Sequence, residues 1–138
     1  LAAFARPVRA ALPATSGGGR VGGDPAQRIR RVAVCGGAGD SLFDAVRASG
    51  ADVYVTADLR HHPASEARET AAPGEGRPAL VDVSHWASES LWLEHGARAL
   101  EAALAERGLG VTTLFSDHRS DPWDFLVGGE RADEGSHA

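Results

Sequence analysis

The chain has 138 residues, of which 43% are hydrophobic and 24% are charged, a balance typical of one soluble globular domain. Its formal net charge is −5 and it lacks a concentrated basic cluster, which argues against a nucleic-acid-binding surface. The single cysteine excludes an internal disulfide and any metal site built from several cysteines. A metal site in this chain would therefore use histidine and carboxylate ligands.

The hydropathy and the two ends of the chain indicate its localisation, its status as a fragment and its division into segments. No apolar run approaches a membrane span of roughly 18 residues, and nothing resembles a signal peptide, so we expect a cytoplasmic protein with no membrane partner. The chain lacks Met and opens at Leu1 within a helical pattern, which favours a fragment of a longer protein. We divide it into an N-terminal helix and Gly-rich loop (residues 1–27), an α/β domain (28–127) and a disordered tail (128–138).

Four segments of the chain predict buried strands. They are rich in apolar and β-branched residues and lie at residues 29–35, 52–56, 79–83 and 110–116. Helical patterns separate them, at residues 42–49, 64–69 and 84–107, and the last of these predicts one continuous helix. The βαβαβαβ order, after an N-terminal helix, predicts an α/β fold with a mainly parallel sheet and flanking helices.

The part of the chain before the first strand predicts one helix and one loop. Residues 1–12 have the spacing of an amphipathic helix, which Pro7 either starts or kinks. Residues 15–25 contain five glycines and predict a flexible loop or a weak hairpin around Arg20 and Val21.

Polar or glycine-rich clusters follow all four predicted strands, at residues 36–41, 56–62, 84–89 and 116–121. Because the carboxyl ends of parallel strands meet at one edge of a sheet, we expect these clusters to lie together. This common edge is the strongest internal sign of a functional site.

The first cluster is a glycine-rich loop, Gly-Gly-Ala-Gly-Asp-Ser at residues 36–41. Backbone N–H groups in such a loop can bind an anion at the start of a helix. The loop matches neither the dinucleotide fingerprint nor the Walker pattern, which argues against nucleotide folds of those types. The alternative is a tight turn in which Asp40 or Ser41 caps the following helix.

The third cluster places His85 and Glu89 four residues apart, just after Ser84, a good helix N-cap. Both side chains then share one helix face, where an imidazole nitrogen and a carboxylate oxygen can converge on one metal ion. The alternative is a solvated pair that contributes roughly 0.2–0.5 kcal/mol. The second cluster leaves a similar choice open, because Asp58 and His62 are either part of a site or a turn cap and a solvated histidine.

Four motifs, in this order, resemble the C-terminal half of the dinuclear-metal proteins known as GTP cyclohydrolase I type 2 homologues, the Nif-three-like family. They are Val-Cys-Gly-Gly-Ala-Gly at residues 34–39, Ala-Asp-Val-Tyr-Val-Thr-Ala-Asp at 51–58 followed by His62, Ser-His-Trp-Ala-Ser-Glu at 84–89, and a closing strand that leads to Asp-Pro at 121–122. The resemblance covers residues 29–123, and the order of the motifs makes it specific. Ala57 and Ser84 stand where the family more often has Gly.

The resemblance implies a centre with two divalent metal ions, which are zinc, iron, manganese or magnesium. It assigns His85 and Glu89 as metal ligands, while the other ligands, a His-His pair and an Asp, belong to an N-terminal half that this chain lacks. The pair His61-His62 lies in the second-strand motif and is not the missing pair. Because a catalytic zinc needs about three protein ligands, we expect this piece alone to bind metal weakly or not at all.

The function that the resemblance implies is that of a metal-dependent hydrolase-like protein with a small-molecule substrate, a nucleotide or a phosphate ester. Thr56 and Asp58 would bind the substrate by hydrogen bonding, and His62 is the candidate catalytic acid or base. The intact protein is expected to form a homo-oligomer. The alternatives are a non-catalytic metal-binding scaffold or oligomeric interaction protein, and a folded α/β half-domain with no activity of its own.

Overall fold

Helices and strands alternate along the computed structural model, which describes residues 1–73, 76–116 and 118–128. The elements in chain order are α1 (Ala2–Ala11), β1 (Gly19–Gly22), β2 (Val32–Ala38), a 3-10 turn (Asp40–Leu42), α2 (Phe43–Ser49), β3 (Val53–Ala57), α3 (His61–Ala71), β4 (Ala79–Val83), α4 (His85–Ser90) and α5 (Leu93–Ala105).

The four strands form one sheet in the order β1-β4-β3-β2. Strands β2, β3 and β4 are parallel, and β1 runs antiparallel beside β4. The register of the two central strands places Thr56 opposite Asp82 and Ala57 opposite Val83. The predicted fold class, a mainly parallel sheet with flanking helices, is therefore confirmed. The three parallel strands all end at one edge of the sheet, which we call the carboxyl edge.

Strand β1 lies where the sequence predicts a flexible loop or a weak hairpin. It pairs with β4 rather than folding back on a neighbouring segment, and Arg20 of β1 stands opposite Asp82 of β4. The Nε atom of Arg20 donates to Asp82 Oδ2 at 2.7 Å across a sequence separation of 62 residues. The prediction of a flexible loop or a weak hairpin is therefore wrong. The local sequence could not indicate this strand, because its pairing partner lies about 62 residues away.

The predicted fourth parallel strand is also wrong, because residues 110–116 form no strand. The position beside β4 is occupied by β1. The backbone N–H and the hydroxyl of Thr113 donate instead to Glu101 Oε1 of α5, at 2.8 and 2.6 Å. This segment is therefore attached to a helix rather than to the sheet.

The helix predicted over residues 84–107 is divided into α4 and α5. Between them, the N–H of Trp92 donates to the carbonyl of Glu89, three residues earlier, which is the hydrogen bond of a 3-10 turn. The ring of Trp92 lies over Gly96, where an added Cβ would be 2.2 Å from a ring carbon. The glycine thus makes room for the indole at the start of α5.

Apolar side chains cover the two faces of the sheet separately. On one face α1 packs through Phe4, Ala5 and Val8, and the buried strand residues there are Val53, Val55, Ala57, Ala79, Val81 and Val83. On the other face the core consists of Phe43, Val46, Ala51, Tyr54, Leu59, Ala67 and Leu80. The rings of Phe43 and Tyr54 meet edge to face at 5.7 Å, which contributes about 0.5–1.5 kcal/mol beyond their burial.

Strand β2 is less buried than the sequence predicts. It is one of the two edge strands of the sheet, and most of its side chains alternate between partly buried and exposed. Val34, for example, is 73% exposed. The prediction of a buried strand is wrong for this element because an apolar run does not reveal whether a strand is central or at an edge.

Asp52 joins three segments at the amino edge of the sheet, opposite the carboxyl edge. Its Oδ2 atom accepts the backbone N–H groups of Arg30 and Arg31, at 2.7 and 2.8 Å, and Arg77 Nε lies 3.2 Å from Oδ1. The backbone hydrogen bond from Arg31, followed by that from Arg30, lowers the pKa of Asp52 below its ordinary value. The side chain is a structural anchor far from the polar clusters.

No helix in the described part of the chain has the length and apolar character needed to cross a membrane. Residues 129–138, most of the predicted disordered tail, lie outside the described residues, so that prediction stays untested. The same holds for residue 117 in the fourth polar cluster.

Candidate functional site

The polar clusters predicted to share the carboxyl edge do meet there. The backbone N–H of Gly37, near the carboxyl end of β2, donates to Ser88 Oγ of α4 at 2.9 Å. Asp58, after β3, contacts His85 of α4. The hydroxyl of Ser84, after β4, donates to Asp121 Oδ1 at 2.7 Å.

His85 lies between two carboxylates. Its Nδ1 atom is 2.8 Å from Asp58 Oδ2, and its Nε2 atom is 3.1 Å from Glu89 Oε1. The hydrogen bond with Asp58 is the main cause that raises the pKa of His85 above its ordinary value, and the charge of Glu89 acts in the same direction, whereas burial opposes both. Each ring nitrogen thus faces a carboxylate oxygen, and in the neutral ring one nitrogen donates its proton while the lone pair of the other faces a carboxylate.

The helix that carries this pair begins as predicted. Ser84 is the N-cap of α4, and its hydroxyl oxygen accepts the N–H of Ala87 at 3.3 Å. Helical spacing then places His85 and Glu89 on one face, since residues four apart are neighbours on a helix surface. The helical geometry and the cap therefore determine the position of both side chains.

Asp58 adopts a left-handed backbone conformation, with φ of 52°. This region is rare for residues other than Gly, although Asp tolerates it better than most. In this conformation its carboxylate reaches Nδ1 of His85. The structure thus shows Asp58 bonded to His85, a contact that was not predicted, and the predicted binding of substrate by Asp58 stays a prediction.

The glycine-rich loop packs directly against the His85–Glu89 pair. Gly37 has φ of 71°, and a Cβ there would lie 2.5 Å from Glu89 Oε1 and 3.2 Å from His85 Nε2. A Cβ at Gly39 would lie 2.1 Å from the Tyr54 hydroxyl oxygen. These glycines are therefore explained by close approach of the backbone to the site, as in the tight-turn alternative.

The helix cap predicted within this loop is wrong. Neither the 3-10 turn nor α2 has a side-chain cap hydrogen bond at its start. Asp40 instead forms an ion pair with Arg60, which precedes α3. The loop is thus linked to the β3 end rather than to its own helix.

Thr56 and Tyr54 of β3 hold the glycine-rich loop through hydrogen bonds to its carbonyl groups. The Thr56 hydroxyl donates to the Gly37 carbonyl at 2.9 Å, and the Tyr54 hydroxyl donates to the Gly39 carbonyl at 3.0 Å. Burial raises the pKa of Tyr54, which keeps its hydroxyl protonated as a donor. Thr56 has 0% exposure, so its observed contact supports the loop, and its predicted binding of substrate stays a prediction.

His62, the predicted catalytic acid or base, is not brought to the pair by any described contact. It lies exposed in the first turn of α3, where its ring packs edge to face against His61 at 5.3 Å. It is not among the residues that line the cleft beside His85. The geometry favours Asp58 over His62 as the partner of His85.

Two buried aspartates complete the surroundings of the site. Asp82 of β4 and Asp121 of the C-terminal segment are each 8% exposed. Asp121 accepts the Ser84 hydroxyl through one oxygen. Asp82, which the sequence analysis did not assign to the site, is detectable as the one charged residue in an otherwise apolar strand.

A cleft of about 1510 Å³ opens beside the pair. His85, Glu89, Asp58 and Asp121 contribute polar groups to its walls, and aromatic side chains contribute much of the rest, among them Trp86, Trp92, Trp123, Phe115 and Phe125. Small-molecule sites share this mostly apolar lining with a few converging polar groups, but the cleft is larger than their usual volume of about 300–1,000 Å³.

The described residues contain two potential metal donors at the carboxyl edge and no larger group of them. Across residues 1–73, 76–116 and 118–128, no group of three or more His, Cys, Asp or Glu side chains is arranged to hold a metal ion. His85 and Glu89 offer two donors, of the nitrogen and oxygen types that Zn²⁺ and related ions accept.

Comparison with known proteins identifies the family. A family model described as Duf34/NIF3 (NGG1p interacting factor 3) matches residues 1–122. The chain belongs to this family. The resemblance drawn from the four motifs is therefore confirmed.

Relatives of the family are longer than this chain. A Streptomyces coelicolor protein named "GTP cyclohydrolase 1 type 2 homolog" is 50% identical over 112 residues, which cover 81% of this chain and 38% of the relative. A Mycobacterium leprae protein of the same name is 46% identical over 124 residues, which cover 90% of this chain and 30% of the relative.

Two crystal structures share the fold. A Staphylococcus aureus protein matches with a TM-score of 0.75 and 27% identity, over 91% of this chain and 38% of that one. A Bacillus cereus protein related to NIF3 matches with a TM-score of 0.73 and 28% identity, over 91% of this chain and 32% of that one. The chain thus spans between 30% and 38% of the length of these four relatives.

Proposed function

We propose that this chain contributes His85 and Glu89 to the metal centre of a metal-dependent hydrolase-like protein, a function in line with the name that its relatives carry. The supporting observation is the environment of His85. Nδ1 makes the shorter of the two contacts, and when its proton is donated to Asp58, Nε2 and Glu89 Oε1 present lone pairs to each other at 3.1 Å. Such an arrangement is stable only with positive charge between the two atoms, either a proton or a metal cation.

The distance between these atoms suits a shared cation. Two ligand atoms that each lie about 2.1 Å from one ion are about 2.9–3.4 Å apart in octahedral or tetrahedral coordination. Asp58 would bind the other ring nitrogen of His85, as carboxylates next to metal-ligating histidines usually do. Such a carboxylate orients the ring and increases its basicity. The missing Cβ of Gly37 leaves the space in which the two donors converge.

A divalent ion at this position would polarise a substrate oxygen and lower the pKa of a bound water. The residues of this chain have other tasks: His85 and Glu89 bind the ion, Asp58 holds the proton on Nδ1, and Ser84 holds the start of α4. Aromatic walls of the cleft would pack against a nucleotide or phosphate-ester substrate. We infer that the remaining ligands, and those of a second ion, lie outside this chain, which alone binds metal weakly.

Metal content tests the proposal. We expect a longer protein that carries this chain to retain two divalent ions per subunit after dialysis against metal-free buffer, and its His85→Ala variant to lose at least one. The matched control is His95→Ala, which removes an exposed histidine of α5 and should leave the metal content unchanged. Elemental analysis would contradict the proposal if His85→Ala kept its full content, or if the isolated 138-residue chain held stoichiometric metal tightly.

Turnover tests the hydrolase part separately. If GTP ring opening is the activity, the metal-restored longer protein should release formate from GTP, and His85→Ala should abolish the release. Absence of formate under metal-replete conditions would defeat the GTP assignment, and a screen of phosphate esters would then test the broader hydrolase function.

A second candidate is a non-catalytic metal-binding scaffold within a homo-oligomer. It is supported by the exposed apolar side chains after α5, since Leu114 is 93% exposed, Phe125 79% and Trp123 67%. Surfaces of this kind are typical of protein–protein interfaces. Bound metal without turnover of any nucleotide or phosphate ester, together with an oligomer in light scattering, would favour this candidate over the enzyme.

A further inference from the structure

We propose that Asp82 is a positioning residue of the site, which holds the turn at Asp58 so that Asp58 can orient His85. Asp82 is buried near the carboxyl end of β4, three residues before His85. It touches neither ring nitrogen of His85 in the structure, and its effect on the ring is therefore indirect. The metal readout of this proposal rests on the proposed function, whereas the geometric readout does not.

Both oxygens of Asp82 are used to hold the turn. Oδ1 accepts the backbone N–H of Leu59 at 2.9 Å, and this N–H belongs to the peptide bond that directly follows Asp58. Oδ2 accepts Arg20 Nε at 2.7 Å, and the same guanidinium reaches the Leu59 carbonyl at 3.4 Å. The peptide groups on both sides of Leu59 are thereby fixed to β4 and β1.

This restraint matters because Asp58 adopts an uncommon backbone conformation. Its φ of 52° lies in the left-handed region, which residues other than Gly rarely occupy. Released from Asp82, the peptide after Asp58 can rotate, and the Asp58 carboxylate then leaves Nδ1 of His85. Because β4 continues through Ser84 into α4, Asp82 fixes both partners of the Asp58–His85 hydrogen bond relative to each other.

A merely structural role for Asp82 predicts a different outcome, and Asp52 provides the comparison. Asp52 is also buried, also accepts backbone N–H groups and also lies beside an arginine, but at the amino edge of the sheet. If Asp82 only stabilised the fold, Asp82→Asn and Asp52→Asn would lower stability without changing the His85 ring. If Asp82 positions Asp58, only Asp82→Asn would change it.

The experiment measures the ring nitrogens of His85 by long-range ¹H–¹⁵N NMR in the full 138-residue chain, at a pH where the ring is neutral. We expect the Nδ1–H form in the wild type and in Asp52→Asn, and loss of the preference for that form in Asp82→Asn and Asp82→Ala. Wild-type ring shifts in a folded Asp82 variant would overturn the proposal. If both Asp82 variants unfold, Arg20→Gln serves as a folded reporter, because it alters a largely exposed side chain and removes the guanidinium that links Asp82 to the Leu59 carbonyl. We expect a smaller loss of the Nδ1–H preference there, and wild-type shifts would overturn the proposal that this network holds the turn.

Zinc titration of the same substitutions, made in a longer protein that carries this chain, adds the metal readout. We expect affinity for Zn²⁺ to fall by about 10–100-fold in the Asp82 variants and to stay unchanged in Asp52→Asn, as is usual for loss of an outer hydrogen bond to a ligand. A wild-type chain and a longer protein that both fail to bind zinc would defeat the proposed function, yet the ring shifts would still decide the role of Asp82.

Discussion

Substitution of Gly37 by Ala separates the backbone role of this glycine from its role at the site. Gly37 has φ of 71°, and an L-residue in that region costs about 1–2 kcal/mol. The added Cβ would also lie 2.5 Å from Glu89 Oε1, whereas non-bonded heavy atoms prefer about 3.5–4.0 Å. The Glu89 carboxylate must therefore move by roughly 1 Å or more, which ends its convergence with His85 Nε2.

Two measurements on Gly37→Ala distinguish these effects. We expect thermal unfolding to show a loss of about 1–2 kcal/mol, or roughly 3–8 °C in Tm for a chain of this size. We expect zinc affinity in the longer protein to fall by at least about tenfold, because a ligand is displaced. The matched control is Gly108→Ala, since Gly108 has φ of 74° with nothing within 4 Å of an added Cβ. Gly37→Ala with wild-type zinc affinity, or an equal loss of affinity in both variants, would refute the reasoning.

Two further predictions concern stability. The backbone N–H of Arg31, followed by that of Arg30, lowers the pKa of Asp52. The Asp52 carboxylate therefore stabilises the fold at pH values above the ordinary aspartate pKa of about 3.9. This stabilisation is lost as the pH falls through the lowered pKa. Asp52→Asn should therefore unfold at a lower urea concentration than the wild type at neutral pH, with a smaller difference in strong acid; equal midpoints at neutral pH would contradict this. Ser84→Ala removes the acceptor for the Ala87 N–H and should cost about 0.5–2 kcal/mol in urea unfolding, while Ser84→Thr keeps most of that stability; an equal loss in both variants would argue against the cap.

The parallel part of the fold follows from local patterns in the sequence. The predicted strand 79–83 coincides with β4, and the predicted strand 52–56 is shifted by one residue relative to β3 (Val53–Ala57). Apolar runs bounded by turn residues therefore give the positions of these strands to within a few residues. Strand β1 was beyond such reasoning, because a Gly-rich segment becomes a strand only through its pairing with β4.

The candidate site also has features that the sequence predicts and features that only the structure shows. The spacing of His85 and Glu89 and the cap at Ser84 depend only on helical geometry, so the sequence predicts them. The hydrogen bond between Asp58 and His85 joins residues 27 positions apart, and it requires both the parallel register of β3 with β4 and the left-handed turn at Asp58. Neither condition is readable from composition or spacing.

The sequence by itself determined the chemical types at the carboxyl edge, since polar residues that follow apolar strands must emerge at the ends of a parallel sheet. Only the tertiary structure decided which of them meet: Asp58 rather than His62 contacts His85, Thr56 is buried beneath the glycine loop, and Asp82 holds the turn. The physical reason is that strand register and turn conformation are determined by contacts between distant segments, whereas residue type and helical spacing are local.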